Sequence, residues 1–227
     1  MINAVIDISH WQKIFDFDKI KQAGIVGVIH KATEGQGFRD SKFDWRRQAF
    51  KEQGFLFGSY HFLSTNGTRE AERYFDIVKP DEYELIMLDT ESQKLTTRNN
   101  ILESEKFVQR FYELSGRYPV WYIGMFLLNQ YASFASYKDS ILLNCPLFVA
   151  RYSRKQPAVP TEFKQWTLWQ YTQDGVVPGI TTVDRDIFNG DMEGLMKLWS
   201  VSPERAKAFE GINVAQSDNP DNFTEES

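Results

Sequence analysis

The chain has 227 residues, 42% of them hydrophobic and 25% charged, a balance that suits a soluble domain with a substantial core. Its net charge of −5 argues against a nucleic-acid binder, which carries a basic footprint, and gives no long-range attraction to an anionic polymer. The single cysteine, Cys145, excludes an internal disulfide, and no apolar run approaches the roughly 18 residues of a membrane-spanning helix.

In chain order, short apolar runs alternate with longer helical stretches. Residues 4–8 predict a first strand and 16–23 a helix stopped at Gly24. A second strand at 26–30 precedes a helix at 41–53 that ends at Gly54. A third strand at 56–62 precedes a helix at 68–78 closed by Pro80. A fourth strand at 84–88 leads to a helix at 100–115, and a fifth strand follows at 119–123. The rhythm then changes: 147–150, 167–171 and 182–186 read as strands joined by irregular segments, and 192–199 as a closing helix. Repeated strand–helix alternation implies βαβ units and a parallel sheet. The expected fold class is therefore α/β, a modified TIM-like barrel of five β/α units followed by three strands. An open doubly wound sheet is the alternative, though no glycine-rich phosphate fingerprint follows the first strand. Residues 1–202 are expected to form the working domain, and the polar, acidic stretch 203–227 a surface tail that adds little to the core.

Barrels of this kind place their chemistry at the carboxyl ends of the strands. Those ends carry Asp7, Lys31 with Glu34, Tyr60, Asp89-Thr90-Glu91, Trp121-Tyr122, Arg151, Trp169 and Asp184-Arg185-Asp186. The triplet is the sharpest element. Residues i and i+2 of a strand share a face, so Asp89 and Glu91 would repel if both were ionised, and one is expected to keep a proton near neutral pH. A protonated Glu can donate to a glycosidic oxygen while a neighbouring carboxylate stabilises the charge that develops. Asp-x-Glu also occurs at surface strand ends, but the apolar run from Leu85 to Leu88 fixes this one at the end of a buried strand. Asp7 closes an apolar run in the same way, although a lone Asp there is as readily a cap or turn residue. Asp184 and Asp186 lie two apart on one face, so the sequence does not separate them. His10, His30 and His61 have no metal-ligand spacing, no Gly-x-Ser-x-Gly elbow is present, and Cys145 sits in an apolar run as a buried, inert thiol.

Six segments taken together resemble the family 25 glycoside hydrolases, the Chalaropsis-type lysozymes, a group that includes many phage endolysins. They are Val5-Ile6-Asp7-Ile8-Ser9-His10-Trp11-Gln12, Lys31-Ala32-Thr33-Glu34-Gly35, Gly58-Ser59-Tyr60-His61-Phe62, Leu88-Asp89-Thr90-Glu91, Pro146-Leu147-Phe148-Val149-Ala150-Arg151-Tyr152, and Leu168-Trp169-Gln170-Tyr171 followed by Val183-Asp184-Arg185-Asp186. Each is modest alone, but all six occur in the family's order and span nearly the whole chain before the tail. The resemblance implies an N-acetylmuramidase that cuts the β-1,4 bond between N-acetylmuramic acid and N-acetylglucosamine in cell-wall peptidoglycan. It implies Glu91 as acid/base, Asp89 as second catalytic carboxylate, and Asp7 and Asp184 as the other acids of the cleft. Tyr60 and Arg151 fall in groove-lining motifs, Trp121, Tyr122 and Trp169 are candidate sugar platforms, and Lys31 and Glu34 are candidate substrate contacts. Both a carboxylate nucleophile and attack by the sugar's own acetamido group remain open.

A non-catalytic glycan-binding module on the same fold would be expected to lose one of these acids, and a chitinase-like enzyme would carry a longer Asp-rich signature where Leu85 to Leu88 stand. No cofactor, metal, nucleic-acid partner or membrane insertion is expected, and the protein is expected to act as a monomer. The start of the chain lacks a charged segment followed by a long apolar stretch, so the expectation is synthesis in the cytoplasm without a secretory signal. Action on the wall would then follow release or export.

Overall fold

The strands sort their side chains by parity. In β5 (Leu85–Thr90), Leu85 and Met87 pack into one hydrophobic cluster while Ile86 and Leu88 pack into another. Alternation of this kind, with both faces buried, belongs to a sheet closed on itself and covered by helices. The computed structural model describes residues 1–133, 137–209, 211 and 214–216, and in it the sheet does close. The barrel strands are β1 (Ile2–Ile8), β2 (Gly27–Glu34), β4 (Leu56–Phe62), β5, β6 (Val120–Gly124), β7 (Leu147–Ala150), β8 (Leu168–Gly175) and β9 (Val183–Phe188). β1 pairs with β2 on one side and β9 on the other, which completes an eight-stranded ring. A two-residue strand β3 (Phe38–Arg39) folds back on β2, and β10 (Ala215–Gln216) lies antiparallel on β1.

Five helices follow the first five barrel strands: α1 (Phe17–Gln22), α2 (Phe43–Glu52), α3 (Gly67–Val78), α4 (Thr97–Ser115) and α5 (Met125–Tyr131). The last of these completes the five β/α units expected, although the sequence pattern assigns it no residues. Start signals are local: Asp16, Asn66 and Thr96 accept from backbone N–H groups of the first turns of α1, α3 and α4. Between β7 and β9 the connections carry no full helix, as the sequence rhythm implied.

The barrel strands run parallel from β1 through β8, as the strand–helix alternation implied, and β9 runs antiparallel to both β8 and β1. One expectation is corrected. The segment after residue 202 is not simply a surface tail. It forms α7 (Pro203–Ala206), a short 3-10 turn (Lys207–Phe209) and β10, and buries Phe209 and Val214. These join Leu195, Met196 and Trp199 of the α6 (Met192–Leu198) region, beside Ile2, Val26, Leu56, Leu85 and Val120 at the amino-terminal ends of the strands. The carboxyl end of the chain therefore plugs the bottom of the barrel. Residues 217–227 lie outside the described residues.

Two helix contacts hold the side of the barrel below β4 and β5. α3 and α4 approach so closely at Gly67 that a Cβ there would lie 1.8 Å from the Glu103 carbonyl oxygen. Just beyond, Glu70 is fully buried and accepts backbone N–H bonds from Ser64, Thr65 and Asn66, which ties down the β4–α3 turn. It also takes a hydrogen bond from Nε2 of the buried His61, whose Nδ1 accepts from Thr33 in return. Burial lowers the His61 pKa, so the imidazole stays neutral. Despite its own burial, Glu70 is drawn down to about 2 by these donors.

Gly67→Ala is expected to destabilise the fold by about 1–3 kcal/mol or more, measured by denaturant unfolding, because backbone must move to admit the methyl group. Glu70 is more acidic folded than unfolded, so its contribution is complete above about pH 4.5 and lost as pH falls toward 2. Glu70→Gln should therefore lower stability at neutral pH by roughly 3 kcal/mol. It should also flatten the acid limb of a stability-versus-pH curve; an unchanged acid limb would exclude this role.

Candidate active site

The parity that builds the barrel also aims its polar residues. Asp89 continues the inward series Leu85, Met87, and Glu91 continues it one step past the strand end. Thr90 continues the outward series and bonds Trp121 Nε1 and Ser104 behind the sheet. Tyr60 of β4, Tyr122 of β6 and Phe148 of β7 belong to the barrel interior. Asp7 faces inward from β1, and Asp184 is its direct cross-strand partner.

The reversal of β9 separates Asp184 from Asp186. An antiparallel strand brings its beginning to the mouth, where the parallel strands end. Asp184 thus sits level with Asp7, while Asp186 lies one step deeper, level with Val5 of β1 and Gln170 of β8. Asp184 is partly exposed; Asp186 has no exposure at all.

Gln170 joins these residues. Its Nε2 donates to Asp7 Oδ2 at 2.7 Å, and its Oε1 accepts from the hydroxyls of Tyr122 at 2.9 Å and Tyr152 at 3.0 Å. The sequence singled out its neighbour Trp169 instead. Adjacent residues of a strand face opposite sides, so a mouth-facing Gln170 requires an outward Trp169. Period-two alternation was the signal that would have found it.

The same rule corrects two platforms. Trp121 and Trp169 are fully buried on the outside of the sheet, Trp121 against Tyr131 and Phe163, Trp169 against Trp166 and Tyr171. Neither can stack on a sugar. The exposed rings at the mouth are Trp11 after β1, Phe38 on β3, Phe126 after β6 and Tyr152 after β7. Trp11 stands out at 78% exposure because the loop beneath it is pinned: buried Arg46 of α2 donates to the carbonyls of Ser9 and Gln12. His10 packs on both Trp11 and Phe38, and buried Asp40 holds its backbone and ring nitrogens. Arg151 does not join the acids; its guanidinium donates to the Gln156 carbonyl. Lys31 lies beside them, paired with Glu34 at 2.7 Å and set over the Phe62 and Phe38 rings.

Burial and mutual repulsion dominate the electrostatics. Burial, then the charge of Glu91, then that of Asp7, hold Asp89 well above the usual carboxylate range, with Lys31 opposing. Burial raises Glu91 too, again with Lys31 opposing, although Glu91 remains open to solvent at the mouth. Asp7 is pushed well up by burial and by Asp184, and Asp184 is raised to about 6 by burial and by Glu91. Tyr60 and Tyr122 are raised by burial and by the surrounding acids, so they stay neutral hydroxyls. These carboxylates cannot all ionise near neutral pH; they share protons, and their titrations belong to the group. One oxygen of Asp89, Oδ1, is buried with no hydrogen-bond partner. Among the described residues no cluster of His, Cys, Asp or Glu is arranged to hold a metal ion, and no helix is long and apolar enough to cross a membrane.

The chain is similar to known proteins over most of its length. The sequence model of Glycosyl hydrolases family 25 matches residues 6–180. Lysozyme M1 of Streptomyces globisporus is 28% identical over 205 residues, covering 85% of this chain and 70% of its own length. The N,O-diacetylmuramidase of Chalaropsis sp. is 26% identical over 215 residues, covering 85% of this chain and 96% of its own. Among solved structures, the bacterial lysozyme from Streptomyces coelicolor superposes with a TM-score of 0.76 at 28% identity, over 87% of this chain and 96% of that one. The chain belongs to glycosyl hydrolases family 25 and is a glycoside hydrolase.

Proposed function

We propose that the protein is a peptidoglycan N-acetylmuramidase that hydrolyses the β-1,4 bond between N-acetylmuramic acid and N-acetylglucosamine, with Glu91 as general acid/base. One juxtaposition carries the reading: a solvent-open Glu91 and a nearly buried Asp89 two residues apart on the same face of the strand, each within reach of the other's charge. The names of the relatives, a lysozyme and an N,O-diacetylmuramidase, support the choice of bond. The action is on wall glycan, reached after release or export.

The two acids divide the work by position. Asp89 keeps a small exposed surface toward the cleft, through which its carboxyl can accept the N–H of the acetamido group on the sugar at the cleavage point. Hydrogen bonding to the charged form favours that form, so an arriving substrate draws Asp89 toward carboxylate and leaves the shared proton on Glu91. Glu91 then gives that proton to the glycosidic oxygen as the C1–O bond breaks. The acetamido oxygen bonds to C1 from the other face, and Asp89 steadies the positive charge on the ring so formed. Glu91, now a carboxylate, takes a proton from the water that attacks C1 and restores the acetamido group. Asp7 and Asp184 keep the cleft floor acidic, Tyr60 stands beside them as a neutral hydroxyl, Tyr122 spends its proton on holding Gln170, and the exposed rings of Trp11, Phe38, Phe126 and Tyr152 offer stacking faces to flanking sugars.

Digestion of purified peptidoglycan, with new reducing ends identified by mass spectrometry, tests this. Wild type should release N-acetylmuramic acid ends. Glu91→Gln should lower kcat by about 10²–10⁴-fold with little change in KM. N-acetylglucosamine ends would mean the wrong bond, and glycan binding without cleavage would mean a non-catalytic module. If Asp89→Asn cleaves near the wild-type rate while Asp7→Asn is dead, the division between Asp89 and Asp7 is wrong.

The pH profile gives a further check. The general acid must be protonated, so activity falls as pH rises through the raised pKa of Glu91. The Lys31 charge lowers both Glu91 and Asp89. Lys31→Met should therefore move the descending limb of kcat/KM to higher pH; a limb that stays put or moves down would remove Lys31 from the site.

A further inference from the structure

Asp186 is the acid for which the mechanism above has no use. It is fully buried on the barrel floor, and among the described residues no N–H or hydroxyl group reaches either of its carboxyl oxygens. In the register of β9 against β1 it stands opposite Val5, diagonally below Asp7 on the same face, and the Asp7 charge acts on it. An ionised Asp186 would combine an unsolvated charge, two unsatisfied oxygens and a second carboxylate in contact. Each of these alone is costly, and a single proton between the two groups removes the charge and the repulsion and leaves one oxygen rather than two unsatisfied.

We propose that Asp186 is a positioning residue: as a neutral carboxylic acid it donates a hydrogen bond to Asp7 from the barrel floor and, together with Gln170, fixes Asp7 under the substrate. The inference rests on the reading of Asp7 as a cleft residue. Asp7 then accepts from Gln170 Nε2 on the β8 side and from the Asp186 hydroxyl below. Gln170 has no freedom to swing away, because two tyrosine hydroxyls hold its Oε1. Asp7 thus sits on a two-donor mount, and both donors come from β8 and β9, next to each other in register.

The groups that face Asp186 are consistent with its neutrality. Asp7 of β1 and Asp184 of its own strand both oppose its ionisation, and burial opposes it more than either. The Arg185 charge favours ionisation but counts for less than burial and both acids, and its side chain runs to the outer face, over Gly175. Tyr171 of β8 is a neutral hydroxyl raised by its own burial. Tyr60, Asp89 and Tyr122 line the same interior and act on Asp7.

Two substitutions separate a donor from a charge. Asp186→Asn keeps the shape and can still donate to Asp7, whereas Asp186→Leu fills the space and cannot. In steady-state kinetics on solubilised peptidoglycan, Asp186→Asn should stay within about threefold of wild type. Asp186→Leu should lose about 10- to 100-fold in kcat with KM little changed, the pattern of a misplaced group. Asn as inactive as Leu would mean that the carboxylate itself is required, and Leu as active as wild type would mean that Asp7 needs no second donor; either overturns the proposal.

Thermal unfolding supplies a readout that needs no activity. A carboxyl whose folded pKa is raised stabilises the fold at low pH and loses that contribution as pH rises. The Tm of Asp186→Asn relative to wild type should therefore increase between about pH 5 and about pH 8. A difference independent of pH would mean that Asp186 is already ionised, and the proposal fails. If wild type releases no N-acetylmuramic acid ends, the muramidase reading fails by itself, and the unfolding comparison still decides whether Asp186 holds its proton.

Discussion

The repulsion between carboxylates crowded at the mouth of a closed barrel is the constraint on which the site depends. In water, neighbouring acids ionise nearly independently. Here the ring of strands removes solvent from below, and each charge raises the proton affinity of the next. The result is a set of acids that retains protons near neutrality, as a proton donor to a glycosidic oxygen requires. An open sheet would let water between the same residues and flatten the effect. Closure of the ring is therefore part of the chemistry as well as of the fold.

Crowding like charges is unfavourable, so the surroundings must hold the acids in place. Gln170 ties Asp7 to two tyrosines, Lys31 offsets part of the charge on Asp89 and Glu91, and the aromatic rings beside Lys31 keep its ammonium near them. The supports sit on strands and short strand ends, which are stiffer than long loops. Behind them, the packed interface of α3 with α4 and the Glu70–His61 network fix the outer face of β4. The side chains at the barrel mouth thus rest on a backbone that is tied from both sides.

Much of this was legible in the sequence, because the signals were local. Short apolar runs with glycine and proline stops defined the strands and the first four helices, and Asp89-Thr90-Glu91 after Leu85–Leu88 fixed the central pair of acids. What could not be read was relational. Nothing near residue 183 says that β9 runs backwards, so the depth of Asp184 relative to Asp186 was hidden until Asp7 and Val5 stood opposite them. Trp121 and Trp169 read as platforms by residue type, while the two-residue period of the strands sent them outward and put Tyr122 and Gln170 inside. The short helix α5 and the packing of Phe209 and Val214 under the barrel carried weak local patterns, and long-range burial decided both.

The pairing of β1 with β9 has a consequence for how the protein comes into being. Asp7 lies on the first strand of the barrel and Asp184 on the last, yet they stand directly opposite each other. The strands between them cannot form a ring until β9 inserts beside β1. A growing chain on the ribosome, or a fragment cut anywhere between them, holds at most part of the acid set and none of the enclosed environment that tunes it. Hydrolytic competence is therefore withheld from every incomplete form and arrives in a single step when the two ends of the barrel meet.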